Sequence, residues 1–323
     1  MDKRQLPLFN LAPTRVEDIG PQTPFKATLP FFRDYLASEG KSEHTLAAFM
    51  ADLALLSDYG QEKTPISQFT TRSLNDFLHW MEYERGVPCS RKTYARRVTT
   101  LKVFFKWLHS LKALSDDPAK ALIQRSGPAP LSDALSPSQV QDAIFAARQF
   151  KRDEVWDARP LFLFQLLLQT GVKKGEADRL LLSDFDLSNS QQPVLIVRHK
   201  GADVYKERRI AFEPSLVSVL DSYRAQYQPQ ERVFTCTPRN LEYILTDVGL
   251  SAGIPFKLSF EIMRWSCAVR DWRAGVEEEA IREKLGLSKI SWYETGDKIR
   301  KLVAQQIEEE MAEDQDSCGS VDG

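Results

Sequence analysis

The chain of 323 residues has few cysteines and few histidines, and it has no long apolar run. Its four cysteines, Cys89, Cys236, Cys267 and Cys318, lack the Cys-x-x-Cys spacing of a zinc site or a disulfide framework, so we expect reduced thiols and no metal. No segment approaches the roughly 18 apolar residues of a membrane span, and the N-terminus lacks the apolar stretch of a secretory signal. We therefore expect a cytoplasmic protein that does not associate with a membrane and does not need a small-molecule cofactor.

Charge is nearly balanced overall, with a formal net charge of −2, but the two signs are unevenly placed. Eight basic residues and no acidic residue lie between Arg85 and Ser115, whereas residues 307–323 contain acids and no base. Such a one-signed cluster repels itself unless a polyanion neutralises it, although a basic helix face can also simply be solvated. The cluster favours contact with nucleic acid.

Breaks in composition divide the chain into five parts. Residues 1–24 are rich in proline and predict a flexible arm, and residues 25–125 show helical periodicity that predicts a bundle of four helices. Proline, glycine and serine in 126–136 predict a linker. Residues 137–306 predict helices around two strands in "PVLIVRHKGADVYKERRIAFEP", and 307–323 predict an acidic tail. The expected class is mainly α with one small antiparallel sheet.

The basic cluster coincides with one predicted helix that starts after Ser90. Its apolar residues recur at spacings of three and four and predict a buried face: Tyr94, Val98, Leu101, Phe105 and Leu108. The bases are predicted to occupy the remaining arc and to contact DNA phosphates: Arg91, Lys92, Arg96, Arg97, Lys102 and Lys106.

Three motifs follow in order along the second unit: "QTGVKKGEADRLLLSDFDL", the hairpin "VLIVRHKGADVYKERRIAF", and "FEIMRWSCAVRDWRAGVEEEAIREKLGLS". This order, together with the basic helical unit before it, resembles the tyrosine recombinase or phage integrase family over nearly the whole chain. The resemblance implies a SAM-like core-binding domain followed by a catalytic-type α+β domain. In that family a tyrosine attacks a DNA phosphodiester without metal or cofactor, two arginines clamp the phosphate oxygens, and a hairpin lysine protonates the leaving oxygen.

The resemblance assigns some of these roles to matching residues and others to altered ones. Lys200 in "HKG" and Arg264 in "EIMRW" match the hairpin lysine and the second arginine, and Arg208 and Arg209 are expected near DNA. Four positions depart from the pattern: Lys173 at the first arginine, Glu261 and Leu287 where hydrogen-bonding groups are expected, and Gly296 at the nucleophile. Lysine lacks the planar fork of arginine, and a carboxylate repels phosphate.

Tyr293 lies three residues before the expected nucleophile, close to one helical turn away. We therefore predict a protein that binds double-stranded DNA but has a degenerate catalytic site. Two alternatives stay open: an active recombinase that uses Tyr293 with Lys173 or Lys174, and a scaffold that does not bind DNA. Expected partners are DNA and a second copy or a partner recombinase on the nucleoid, and "KIRKLVAQQIEEEM" is either a segment exchanged between neighbours or a frayed helix.

Overall fold

The computed structural model describes residues 13–60, 63–124, 131–200 and 205–319, with only the backbone for 199–200, 205–206 and 313–319. The chain divides into two compact units, Met1–Ala129 and Pro130–Gly323. Each unit has its own hydrophobic core. Within the described residues, no helix is long and apolar enough to cross a membrane.

Unit 1 contains the four predicted helices: α1 Phe25–Ser38, α2 Glu43–Gly60, α3 Thr71–His79 and α4 Arg91–Ser110. Side-chain caps fix where two of them begin, since Thr70 Oγ1 accepts from Ser73 N at 3.1 Å and Ser90 Oγ accepts from Thr93 N at 3.2 Å. Phe32 and Phe104 meet edge to face in the core with ring centroids 5.0 Å apart. The predicted apolar face of α4 is buried, as expected.

The predicted flexible arm was wrong for its last residues. Ile19 is buried in the core of unit 1, Ile66 N donates to Thr23 O at 3.0 Å, and Phe25 N donates to Thr64 O at 2.9 Å. These contacts pair the segment before α1 with the segment after α2. Prolines in 13–24 concealed the pairing because they remove the periodicity that marks a strand. Residues 1–12 of the predicted arm lie outside the described residues.

Unit 2 contains most of the helices. They are α5 Pro137–Ala147, α6 Ala158–Thr170, α7 Lys174–Ala177, α8 Ser215–Tyr227, α9 Pro238–Ser251, α10 Phe260–Arg273, α11 Glu278–Lys284 and α12 Lys289–Gly319. Helix α6 is buried almost all round, which its sequence "PLFLFQLLLQT" explains, and it packs against α5, α8, α9 and α10.

The sheet of unit 2 is antiparallel, with strand order β3-β4-β5. The two predicted strands are β4 Val194–Lys200 and β5 Tyr205–Ala211, paired from Val194–Ala211 to Lys200–Tyr205. A short edge strand, β3 Phe185–Asp186, and a separate hairpin, β1 Lys151–Arg152 with β2 Val155–Trp156, were not predicted. Two-residue strands are too short to show the alternation that identifies a strand.

Residues on both sides of the predicted segment 137–306 also take part in the fold of unit 2. Leu135, placed in the linker, is buried, and its N–H donates to Ser266 Oγ at 2.9 Å. Helix α12 continues through the expected start of the acidic tail at 307 and ends at Gly319. It packs on its own unit through Ile299, Leu302 and Val303. The acidic composition of the tail does not reveal this, because these packed residues precede residue 307.

Candidate active-site cleft and nucleic-acid face

An open cleft of about 1300 Å³ lies in unit 2 between β5, α11 and the segment that leads into α12. Five basic residues line it: Lys173, Arg208, Arg209, Arg282 and Lys284. Four of them form ion pairs at 2.6–2.9 Å: Arg208 with Glu176, Arg209 with Asp186, Arg282 with Glu279, and Lys284 with Asp271. Most of the positive charge of the cleft is therefore neutralised within the protein.

Arg208 and Glu176 form the central ion pair of the cleft. Arg208 Nη1 and Nη2 donate to the two Glu176 oxygens at 2.9 and 2.7 Å, and Arg208 Nε donates to Lys284 O at 2.9 Å. Glu176 is only 4% exposed. Burial alone would raise the Glu176 pKa, but the hydrogen bonds and charge of Arg208 and the Lys173 N–H hold that pKa below its usual value.

The expected DNA contact by Arg208 is therefore not supported, because all three guanidinium nitrogens already have acceptors inside the protein. Its position explains this. Arg208 pairs with Val197 and shares the inner face of β5 with buried Ile210, whereas Arg209 lies on the outer face. Arg209 is more exposed, and its Nη2 donates to Asp186 Oδ2 at 2.9 Å.

Arg264 is held by the ends of two helices. Its Nη1 donates to Gly171 O, at the end of α6, and its Nη2 donates to Leu285 O, at the end of α11, at 3.0 Å. Gly171 has φ +58°, and an added Cβ would lie 2.9 Å from Leu285 Cδ2, so any other residue there would be strained. Burial lowers the Arg264 pKa from its usual value. The Arg264 guanidinium thus links α10, which carries it, to the C-terminal ends of α6 and α11.

Lys173 lies at the rim of the cleft, where it precedes α7, and its N–H donates to Glu176 Oε2 at 2.8 Å. Partial burial lowers its pKa, and the nearby charges of Arg264 and Arg208 lower it further against the opposing effect of Glu176. The structure thus places the retained Arg264 and the substituted Lys173 within electrostatic range. Neighbouring Lys174 pairs instead with Glu242 at 2.9 Å.

Two other altered positions, Glu261 and Leu287, have different surroundings. Glu261 is exposed in the first turn of α10, and its charge acts on Arg264. Leu287 lines the cleft and, like Trp265, packs against a small core formed by α10, α11 and α12. Leu287 brings no hydrogen-bonding side chain to the cleft.

At the expected nucleophile position, Gly296 is buried in α12 beneath the indole of Trp292. An added Cβ would lie 3.2 Å from Trp292 Cε2, and Trp292 Nε1 donates to Glu278 Oε2 at 3.3 Å. Tyr293 is 83% exposed and is not among the residues that line the cleft. The structure therefore does not bring Tyr293 together with Arg208 and Lys173 in the cleft.

Lys200 ends β4 opposite Tyr205 at the tip of the hairpin. The side chains of His199 and Lys200 and the turn 201–204 lie outside the described residues. The expected role of Lys200 in proton transfer stays a prediction.

On unit 1, the predicted basic face of α4 is only partly a surface. Arg91, Lys92 and Lys106 are exposed and Lys102 is half-buried. Arg97 is only 8% exposed, because it lies one turn after Tyr94 and one turn before Leu101, on the apolar face. Its Nε reaches Asp52 Oδ1 on α2 at 3.4 Å. The prediction that Arg97 contacts DNA is therefore corrected to a structural role.

Sequence reasoning missed two carboxylates, Glu176 and Asp52, that organise these sites. Glu176 lies within the motif "QTGVKKGEADRLLLSDFDL", where nothing in the sequence marks it as buried, and Asp52 lies outside the basic cluster. The period-two pattern of β5 and the helical pattern of α4 would have indicated buried arginines, and buried arginines require buried acids. Among the described residues, no group of three or more His, Cys, Asp or Glu side chains is placed to hold a metal ion.

Known proteins share both units. The protein family described as "Phage integrase, N-terminal SAM-like domain" matches residues 30–112 of this chain. Tyrosine recombinase XerC of Mycobacterium sp. (strain KMS) is 27% identical over 282 residues, which cover 82% of this chain and 92% of the relative. Tyrosine recombinase XerD of Vibrio cholerae is 24% identical over 267 residues, which cover 78% and 84% respectively.

Solved structures agree in fold. A lambda integrase dimer bound to a COC' core site has a TM-score of 0.66 at 13% identity, covering 84% of this chain and 77% of that one. XerH recombinase bound to a palindromic difH substrate has a TM-score of 0.65 at 17% identity, covering 89% and 84%. These matches define a protein with an integrase fold, made of a SAM-like helical unit and an α+β unit. Over about four fifths of its length the chain is similar in sequence to tyrosine recombinases.

Proposed function

We propose that this chain binds double-stranded DNA as a recombinase-family protein without cleaving it. The observation that carries the proposal is the nucleophile position, where Gly296 is covered by Trp292 and the nearby Tyr293 is exposed outside the cleft. Cleavage needs a hydroxyl in line with a clamped phosphate, and a displacement of about 5 Å, one helical turn, removes that alignment.

The charges of the cleft also favour this proposal. A phosphate in its transition state needs arginine forks that are free to donate, but each guanidinium nitrogen of Arg208 already donates to Glu176 or to Lys284 O. Lys173 supplies charge without a fork. Glu261 adds negative charge near Arg264. Together these features disfavour strand cleavage.

Binding to DNA is supported by α4. Exposed Arg91, Lys92 and Lys106 lie on one helix that carries no acid, and phosphate contacts of this kind give affinity that depends on salt. Relatives include recombinases solved on DNA as dimers and tetramers, so a second copy or a partner recombinase on the same DNA belongs to the proposal. Such a protein would act in the cytoplasm, on the nucleoid.

The test for cleavage uses DNA that the protein itself selects from a random duplex library. A nicked version of the selected duplex would trap any covalent protein–DNA adduct, and a XerC-type recombinase on its own site serves as a positive control. We expect no adduct with this chain. An adduct that forms with the unaltered chain and disappears in Tyr293→Phe would establish the alternative of an active recombinase.

The test for binding measures duplex affinity as a function of salt. If the three exposed cations of α4 contact phosphates, the slope of log K against log salt is about −2.7, and affinity falls clearly between roughly 50 and 200 mM. Absent or flat binding would support the scaffold alternative instead.

A further inference from the structure

One basic residue of α4 differs from the others because it is exposed and also held by a carboxylate. Arg96 Nη2 donates to Asp52 Oδ1 at 2.7 Å, and the Arg96 side chain is 41% exposed, whereas Asp52 is 3% exposed. Among the described residues, no ion pair holds Arg91, Lys92 or Lys106. Arg96 is therefore oriented by a carboxylate before a ligand binds, whereas Arg91, Lys92 and Lys106 are not.

Asp52 is fixed by three residues within about one turn of α4. Besides Arg96, it accepts from Arg97 Nε at 3.4 Å and from Thr100 Oγ1 at 3.1 Å, so both of its oxygens are used. Arg97 is itself anchored, since its Nη1 donates to Cys89 Sγ at 3.2 Å. This network joins α2 to α4 and fixes the position of Arg96 Nη2 on the Asp52 carboxylate.

The rest of that guanidinium stays available. Arg96 uses one of its five N–H donors on Asp52, and no other acceptor holds it within the described residues. An oriented fork loses less side-chain freedom on binding than a free one. Arg96 and Arg97 together outweigh the charge of Asp52, so the cluster keeps a net positive charge, and Asp52 contributes the fixed direction of the Arg96 guanidinium. A fork held in one direction suits a pair of acceptors at a fixed spacing, which a base edge offers.

The major groove of duplex DNA accommodates an α-helix, and the bidentate acceptor pair that arginine recognises there is O6 and N7 of guanine. We propose that Arg96 reads a guanine in the major groove and that Asp52 is its positioning residue, while Arg91, Lys92 and Lys106 contact phosphates. This proposal rests on the proposed binding of duplex DNA and adds the residue that makes the binding sequence-selective.

The experiment compares selection from a random duplex library by the unaltered chain and by Arg96→Lys. Lysine keeps the charge but lacks the fork. For the selected duplex against one with a single G·C pair changed, we expect the affinity ratio to fall about tenfold or more in R96K. The matched control is Lys92→Ala, one turn earlier on α4. It should weaken binding to both duplexes alike and reduce the salt slope by about 1, with the ratio unchanged.

Three outcomes would overturn the proposal. R96K could select the same sequence with the same ratio, or it could behave like K92A, which would make Arg96 a phosphate contact. In the third, the unaltered chain binds no duplex at all, which removes the proposed function as well and is recognised without any variant.

Asp52→Asn tests the positioning role separately, with folding checked by circular dichroism. A folded D52N should show part of the R96K loss of preference while it still binds duplex DNA. A folded D52N that keeps the full ratio would contradict the role of Asp52, and if D52N does not fold, the R96K comparison decides the proposal.

Discussion

At the scale of single residues, the structure is governed by carboxylates that hold arginines inside the protein. Glu176 occupies the fork of Arg208, and Asp52 collects donors from one turn of α4. Removing one partner of a buried ion pair is costly because it leaves an unpaired charge in a poorly solvating environment. These two acids therefore matter for stability and also decide which bases remain free for DNA.

Glu176 should make the stability of unit 2 depend on acid. Its folded pKa lies below the usual 4.5, so the pair stabilises fully above about pH 4.5, and the contribution is lost as pH falls through the folded pKa. We expect Glu176→Gln to lower the free energy of unfolding by about 3 kcal/mol at pH 7. The free energy of unfolding of this variant should decline less steeply between about pH 5 and 3 than that of the unaltered chain.

Denaturant unfolding across that pH range would measure both effects. The control is Glu207→Gln, an exposed carboxylate that lines the same cleft, which should change stability little. Equal pH slopes for the unaltered chain and E176Q would show that another group carries the acid sensitivity.

At the scale of elements, helix α12 is defined by contacts within its own unit. Ile299, Leu302 and Val303 bury its apolar face, and Arg273 donates to both oxygens of Glu310 at 2.8 and 2.7 Å. Gln306 Nε2 donates to the carbonyls of Ala134 and Leu135 at 3.2 and 3.1 Å. The segment "KIRKLVAQQIEEEM" is therefore a helix docked on its own unit in this structure, and its exchange between neighbours stays a prediction.

Gln306→Ala should destabilise this docking by about 1–3 kcal/mol, because it removes a buried donor from two carbonyls. Hydrogen exchange of the backbone over residues 296–312 would report the loss as faster exchange. Gln305→Ala is the matched control, since Gln305 is exposed and bonds only Glu309, and it should change stability by less than about 0.5 kcal/mol. Similar exchange in both variants would mean that Gln306 does not hold the helix.

Periodic elements could be predicted from the sequence, and contacts between elements could not. The helices of unit 1 and strands β4 and β5 follow from apolar spacing and capping residues. Strand β3 is too short to leave a pattern, and the burial of Leu135 depends on Ser266, which is 131 residues away. In the site, motif order located Lys173, Arg264 and Gly296, but only geometry shows that the Arg208 fork is occupied by Glu176 and that Trp292 packs on Gly296.

At the scale of the whole molecule, two separate cores share one chain of nearly neutral charge. A net charge of −2 gives no long-range attraction to DNA, so affinity must come from the local cations of α4. Each unit buries its own aromatic and aliphatic residues, which predicts that damage to one core stays local.

Phe104→Leu in unit 1 should therefore speed hydrogen exchange mainly in residues 13–124. Phe104 is fully buried among Phe25, Phe32 and Phe105, and the smaller side chain leaves a cavity with a cost of about 1–2 kcal/mol. Leu245→Ala in the core of unit 2 is the reciprocal variant. If either substitution speeds exchange equally in both units, they unfold as one.

The packing of Trp292 on Gly296 also makes these two positions of α12 dependent on each other. Any side chain at 296 would begin with a Cβ 3.2 Å from Trp292 Cε2, so the indole, which donates to Glu278, would have to give way by a few tenths of an ångström. A smaller residue at 292 would remove that constraint. A larger side chain at 296 should therefore be tolerated better together with a smaller one at 292 than alone, so that the two positions form an epistatic pair within one helical turn.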